Sequence, residues 1–180
     1  MPNWAFGTVE ITGRCEGIKS FIERFITSDE PSTLPGKRFF ARSFIQRKRE
    51  KCINDVMMIF KGAPANAKLT YSLEAEFAWS AYGCIIQGYP QRNDKECITL
   101  ADACIEDQVA VVIRTSETGL CFEEYITGDE TGNVVHVETE MSTYKCCHCG
   151  ETMCLASFED PEEQDCPECG ESGFEPCKEE

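Results

Sequence analysis

The chain has 180 residues, of which 42% are hydrophobic and 27% charged, and this length and composition exclude a wholly disordered protein. Thirty-two acidic against seventeen basic side chains give a formal net charge of −15. This balance disfavours binding of nucleic acid through a broad basic face, since such binding relies on Lys and Arg. No apolar run is long enough to span a membrane, and the first residues do not resemble a signal peptide. We therefore expect a cytoplasmic protein without a membrane partner.

Hydrophobic periodicity predicts a strand and a helix at the start of the chain. Apolar and polar residues alternate over 6–12, which is typical of a half-buried strand. From Ile18 to Ile26 the apolar residues recur at helical spacing, which predicts an amphipathic helix. Two prolines and a glycine in 28–36 then predict a loop.

The segment 37–51 is strongly basic, with seven Lys or Arg side chains and one acid. Apolar residues at helical spacing follow it, so we predict a basic helical insertion over 37–61. Three roles are open for the basic residues: pairing with the acidic C-terminal part, forming a solvated helix face, or contacting nucleic acid. Arg47, Lys48 and Arg49 are the residues that would make the nucleic-acid contact.

The rest of the first 138 residues is rich in predicted strands. The clearest alternation lies in 68–80, and further β-rich runs cover 109–115, 120–127 and 134–137. A turn-rich loop is predicted over 88–94, and Thr99 with Asp102 has the spacing of a helix N-cap. Interleaved helices and strands predict an α+β fold, with helices on one face of a mainly antiparallel sheet.

Two short tryptophan motifs resemble a known family. They are Met1-Pro2-Asn3-Trp4 before the first strand and Ala78-Trp79-Ser80 at the end of the long strand. In this order of elements, residues 1–138 resemble the ferredoxin-like YubB-like domains encoded on bacteriophages and plasmids. The resemblance implies a ferredoxin-like fold and a mobile-element accessory protein in a bacterial host, and it implies no catalytic residues. We expect both tryptophans to pack in the core.

Seven of the thirteen cysteines lie in the last thirty-five residues, in a pattern typical of a metal site. Cys146 with Cys149 and Cys166 with Cys169 form two C-x-x-C pairs, each followed by glycine. The spacing lets both sulfurs of a pair reach one ion, and four thiolates form a closed tetrahedral Zn²⁺ site. We predict one ion in a ribbon over 139–180, which resembles a zinc ribbon and is also similar to iron-holding rubredoxin knuckles. Zinc is favoured because the aromatic-rich core of a rubredoxin is missing.

The ligand set has alternatives. Cys147, His148, Cys154 and Cys177 also lie in this region, and Cys154 with Cys177 could form a second, weaker site. The remaining six cysteines are scattered singly and are expected to be small buried residues rather than disulfide partners.

An enzyme is not expected. The chain has two histidines and lacks phosphate-binding and nucleophile-elbow motifs. His136, on a predicted strand, is expected to be a surface or packed residue, and the paired acids Glu123 and Glu124 are expected to be solvated.

The charge distribution indicates a protein partner. From Glu117 to the end there are eighteen acids and two lysines. Such a surface is expected to steer the protein onto a basic partner. The acids singled out for this contact are Glu159, Asp160, Glu162, Glu163 and Asp165.

The predicted function is therefore that of a non-catalytic phage or mobile-element protein that inhibits a host protein. A nucleic-acid-handling defence complex would be such a target, which makes the prediction anti-CRISPR-like. The alternative is a nucleic-acid-binding zinc-ribbon regulator that uses the basic residues of 37–51.

Overall fold

The computed structural model describes residues 3–26, 38–39, 43–44, 49–85 and 97–177, and shows an α+β protein. Within these ranges there are four helices: α1 (Cys15–Phe25), α2 (Arg49–Ile59), α3 (Ala81–Ile85) and α4 (Leu100–Asp107). The strands are β1 (Trp4–Gly13), β2 (Arg38–Phe39), β3 (Ser43–Phe44), β4 (Leu69–Ala78), β5 (Cys97–Ile98), β6 (Ala110–Glu117), β7 (Phe122–Gly128), β8 (Val134–Glu140), β9 (Ser142–Cys146), β10 (Thr152–Leu155) and β11 (Phe174–Pro176). The loops predicted over 28–36 and 88–94 lie outside the described residues.

The main sheet contains six strands in the order β3-β4-β1-β6-β7-β8, and all neighbouring pairs are antiparallel. Alternate residues of the central strand β1, such as Val9 and Ile11, are fully buried, as the pleat requires. Phe21 of α1 and Leu100 of α4 belong to the same hydrophobic core. The predicted antiparallel sheet and its core are thereby confirmed.

Most elements follow the hydrophobic pattern. The periodicity that predicted α1 is confirmed, since Ile18, Phe21 and Phe25 are completely buried. At the start of α4, the Thr99 hydroxyl accepts a hydrogen bond from the Asp102 N–H at 3.2 Å, which is the predicted N-cap. None of the helices in the described ranges has the length and apolar character needed to cross a membrane.

The prediction of a helix from residue 37 onward was wrong where the structure describes this segment. Helix α2 begins at Arg49, and Arg38–Phe39 and Ser43–Phe44 form strands instead. Strand β3 pairs with the edge of β4, and β2 pairs in parallel with β5. A sheet edge offers unpaired backbone groups, and phenylalanine is favoured in strands, so tertiary pairing prevails over helical spacing here.

The tryptophan at the end of β4 is not a core residue as predicted. Trp79 is 48% exposed and has a positive φ of 73°, which is unusual for a bulky side chain. Its N–H donates to the carbonyl of Asn3 at 2.9 Å, and this bond holds the chain as it leaves the strand. Trp4 is half-buried.

A buried ion pair joins α1 to α4. Arg24 Nε lies 2.9 Å from Asp107 Oδ2, and the Ser20 hydroxyl donates to Asp107 Oδ1 at 2.7 Å. The Asp107 side chain is only 2% exposed, whereas Glu106, which also contacts Arg24, is 46% exposed. Removing one partner of a buried ion pair leaves an uncompensated buried charge. Asp107 should therefore contribute more to the free energy of unfolding than Glu106 does.

We predict that Asp107→Ala lowers the free energy of unfolding of the main sheet domain by about 3 kcal/mol, because Arg24 loses its buried partner. Glu106→Ala is the matched control and should cost less than about 1 kcal/mol. Urea unfolding followed by circular dichroism measures both. Equal destabilisation by the two variants would show that the burial of Asp107 is irrelevant.

A second, smaller sheet follows the main one. Its strands are ordered β10-β9-β11, and a single residue, Met141, separates the end of β8 from the start of β9. Leu155 and Phe174 form a separate small core together with two cysteine side chains. So few buried residues supply little hydrophobic stabilisation, and a further source of stability is expected in this part.

Candidate metal centre

Each C-x-x-C pair lies on a tight turn that is closed by its glycine. The Gly150 N–H donates to the carbonyl of Cys146 at 3.1 Å, and the Gly170 N–H donates to that of Cys166 at 2.8 Å. Both glycines have positive φ values, 81° and 74°. Residues with a Cβ rarely adopt this conformation, so the glycine after each pair serves the turn geometry.

The two turns bring four thiols into one cluster. The sulfurs of Cys146 and Cys169 are 3.8 Å apart, and those of Cys149 and Cys166 are 3.6 Å apart. All four sulfurs lie within 4.8 Å of one another. A tetrahedral Zn²⁺ with Zn–S bonds of about 2.3 Å would hold its sulfurs roughly 3.8 Å apart. The spacing is therefore compatible with one tetrahedral metal ion.

Backbone amides favour the ionised form of one of these thiols. Amide groups of Cys149 and His148 donate toward Cys146 Sγ, and the His148 N–H lies 3.4 Å from it. These donors lower the pKa of Cys146 to about 6. Desolvation and hydrogen bonds with the other cluster thiols raise the pKa of Cys149 and of Cys169, so the shift toward the thiolate, which is the form that metals bind, concerns Cys146 alone of these three.

The alternative ligands lie outside the four-thiol cluster. Cys147, His148 and Cys177 are exposed and are not members of it. Cys154 is disulfide-bonded to Cys121, so its sulfur cannot serve as a thiolate ligand. The suggested second site of Cys154 with Cys177 was therefore wrong.

The disulfide links the small sheet to the main one. Cys121 lies in the turn between β6 and β7, and Cys154 lies on β10. Two hydrogen bonds support the same junction: the Ser157 N–H donates to the Glu123 carboxylate at 2.6 Å, and the Met141 N–H donates to the Cys121 carbonyl at 2.8 Å. The prediction that Cys121 is a free packing residue was wrong, since residues 33 apart in sequence meet through the fold.

The positions of the other scattered cysteines agree with the prediction that they are small residues packed in the core. Cys52, Cys84 and Cys104 are buried, and Cys15 is half-buried. Burial, followed by the negative charge of Asp107, raises the pKa of Cys104 to about 12, so this thiol is neutral. The side chain of Cys97 lies outside the described residues.

The acids predicted to bind a partner lie in the segment between β10 and β11, and several of them hold its loops in shape. The Glu159 carboxylate accepts from the Ala156 N–H at 2.7 Å, and Asp160 accepts from the Glu162 N–H at 2.9 Å. Asp165 accepts from the Ser172 hydroxyl at 2.7 Å. The Glu162 and Glu163 side chains are exposed and make no such bonds in the described part of the chain.

Of the basic residues predicted to contact nucleic acid, Arg49 is the first residue of α2 and is half-buried. Arg47 and Lys48 lie outside the described residues.

A buried carboxylate on the main sheet was missed by sequence reasoning. Glu124 was expected to be solvated, yet its side chain is completely buried. It accepts hydrogen bonds from the Ala81 N–H at 2.7 Å and from the Thr115 hydroxyl at 3.2 Å. The signal was present in the alternation of β7, because Glu124 stands between Phe122 and Ile126 on the inward face.

Comparison of the chain with protein-family models, with curated proteins and with solved structures found no match.

Proposed function

We propose that this protein is a non-catalytic binding protein that contacts a basic surface of a partner protein through its acidic ribbon, residues 139–177. The observation that carries the proposal is the charge of this ribbon: it contains ten acids and one lysine, Lys145. Nine of the ten acids are exposed and one is half-buried. An electronegative surface of this kind attracts a basic partner and repels the phosphates of nucleic acid.

The metal in this proposal is a structural Zn²⁺ held by Cys146, Cys149, Cys166 and Cys169. A closed set of four thiolates leaves no position for a reacting water, which supports a structural rather than a catalytic role. The ion would supply the stability that the small core lacks, and it would fix the loops that carry the acids.

The biological setting follows from the resemblance of residues 1–138 to the YubB-like domains. In this setting the protein is a bacteriophage or mobile-element product that acts in the cytoplasm of a bacterial host. The target is a host protein with a basic nucleic-acid-handling surface, as in a defence complex, and binding occludes that surface. The α+β class and the antiparallel sheet of the first domain agree with this resemblance at the level of fold class.

The test uses charge reversal at two acids that have no structural role in the loops. Glu162→Lys with Glu163→Lys should abolish retention of partner proteins from a nuclease-treated lysate of the host, since the attraction depends on these charges. The matched control is Glu50→Lys with Glu74→Lys, which makes the same charge change at exposed positions outside the ribbon. Retention is measured by quantitative mass spectrometry.

Equal retention by both double variants would contradict the proposed contact surface. Loss of all retained proteins after nuclease treatment would contradict it as well. It would favour the regulator that binds nucleic acid through Arg47, Lys48 and Arg49, and alanine at these positions would then weaken binding in a salt-sensitive manner.

A further inference from the structure

A second group of metal-ligating side chains lies on the main sheet, separate from the four cysteines. Glu124 on β7 stands directly opposite Glu138 on β8, and His136 is two residues before Glu138 on the same strand face. One ligand atom from each of the three residues lies within 4.8 Å of the other two.

This group carries two carboxylates and, in the described part of the chain, no fixed positive charge. Glu124 is completely buried, and its ion-pairing group in the described part of the chain is His136, with no Lys or Arg. Glu138 has no ion pair there either, although it faces Glu124 across the strands. Like charges in directly opposed positions destabilise a sheet, and buried carboxylates are normally paired or bound to metal.

The ligand atoms are held in place by their surroundings. Backbone N–H groups of Ala81 and Tyr82 donate to the Glu124 carboxylate at 2.7 and 3.2 Å. The imidazole of His136 stacks on the Tyr82 ring with 4.3 Å between ring centroids. Fixing carboxylate and imidazole through neighbouring groups is how proteins orient metal ligands.

The spacing of the two inner ligand atoms fits one ion. His136 Nε2 lies 3.1 Å from Glu124 Oε1. An ion about 2.1 Å from each atom, with the tetrahedral angle between the two bonds, would separate them by roughly 3.4 Å, so these atoms would move apart by about 0.3 Å on binding. The ion would replace the Nε2–H hydrogen bond, and the neutral imidazole would keep its proton on Nδ1. The bonds from Ala81, Tyr82 and Thr115 to the carboxylate would remain.

We propose that Glu124, His136 and Glu138 form a second metal site, which binds a divalent first-row transition ion such as Zn²⁺. One imidazole with two carboxylates suits this class of ion. Three protein ligands, unlike the four thiolates of the ribbon, leave a coordination position open for water or for a ligand atom of a partner. The site is independent of the proposed binding function of the ribbon.

The experiment uses the full chain, first loaded with one equivalent of Zn²⁺ and then titrated with cobalt(II). Zinc binds thiolates more tightly than cobalt and keeps the ribbon occupied. We expect one saturable equivalent of cobalt, seen by its ligand-field absorption, without thiolate-to-cobalt charge-transfer bands. Glu138→Gln and His136→Ala should each weaken this binding at least tenfold.

Glu140→Gln is the matched control, since Glu140 is an exposed acid on the same strand and face but outside the group. It should leave cobalt affinity unchanged. The Glu138 side chain is exposed and makes no hydrogen bond in the described part of the chain, so Glu138→Gln is expected to fold normally. Absence of a saturable cobalt equivalent, or equal weakening by Glu138→Gln and Glu140→Gln, would overturn the proposal.

Discussion

Replacing Cys149 by serine should remove the metal from the ribbon and unfold residues 142–177, while the six-stranded sheet remains folded. Metal binding is itself a large part of the folding free energy in small structural zinc modules, of the order of 10 kcal/mol. The small core here, built around Leu155 and Phe174, cannot replace a contribution of that size. Cys166→Ser should have the same effect because all four thiols share one ion.

Cobalt substitution and amide hydrogen exchange measure the two parts of this prediction. In the wild-type protein, cobalt(II) should give thiolate charge-transfer absorption, and in Cys149→Ser these bands should be lost. Exchange should become fast in β9 to β11 and stay slow in β1, β4 and β6. Cys147→Ser is the matched control, because Cys147 is exposed, adjacent in sequence and outside the cluster. A folded, protected ribbon in Cys149→Ser would contradict a structural role for the metal.

Removing the disulfide should produce the second largest effect. In oxidised protein, purified without reductant because the cytoplasm keeps most thiols reduced, Cys121→Ser should lower the stability of the ribbon by about 3–4 kcal/mol, the value expected from loop closure across 33 residues. The bond also holds the ribbon at the β6–β7 turn, where the two supporting hydrogen bonds from Ser157 and Met141 are individually modest. We expect the ribbon to unfold at a lower temperature, and metal release during heating measures this change.

Two controls make this prediction specific. Cys154→Ser should match Cys121→Ser, and the double variant should be no less stable than either single one, since they remove the same bond. Cys177→Ser should have no effect, because its exposed thiol is unbonded. Additive losses in the double variant would show that each cysteine stabilises the protein by packing rather than through a shared bond.

Local periodicity was sufficient to predict the elements that pack against the core. In β4 and α1 one face is buried, and burial of one face requires apolar residues at a fixed spacing along the sequence. This spacing can be read directly from the order of residues. The four clustered thiols could be predicted for a similar reason, since two residues between cysteines and a glycine after each pair are local requirements of a metal-binding turn.

Contacts between distant residues could not be predicted in the same way. The Cys121–Cys154 bond depends on how the ribbon meets the β6–β7 turn, and neither cysteine has a local motif. Strand β3 depends on the free edge of β4, where pairing prevails over the helical spacing in the basic segment. The burial of the polar Glu124 side chain depends on hydrogen-bond donors that are distant in sequence, since the backbone N–H groups of Ala81 and Tyr82 lie more than forty residues away.

The central claim is that four thiolates around one ion organise the acidic ribbon. X-ray absorption spectroscopy of the purified protein, loaded with one equivalent of Zn²⁺, tests it most directly. The expected result is a single shell of four sulfur atoms at about 2.3 Å from zinc. A shell of nitrogen and oxygen atoms, or one in which His148 replaces a sulfur, would contradict the assignment of Cys146, Cys149, Cys166 and Cys169.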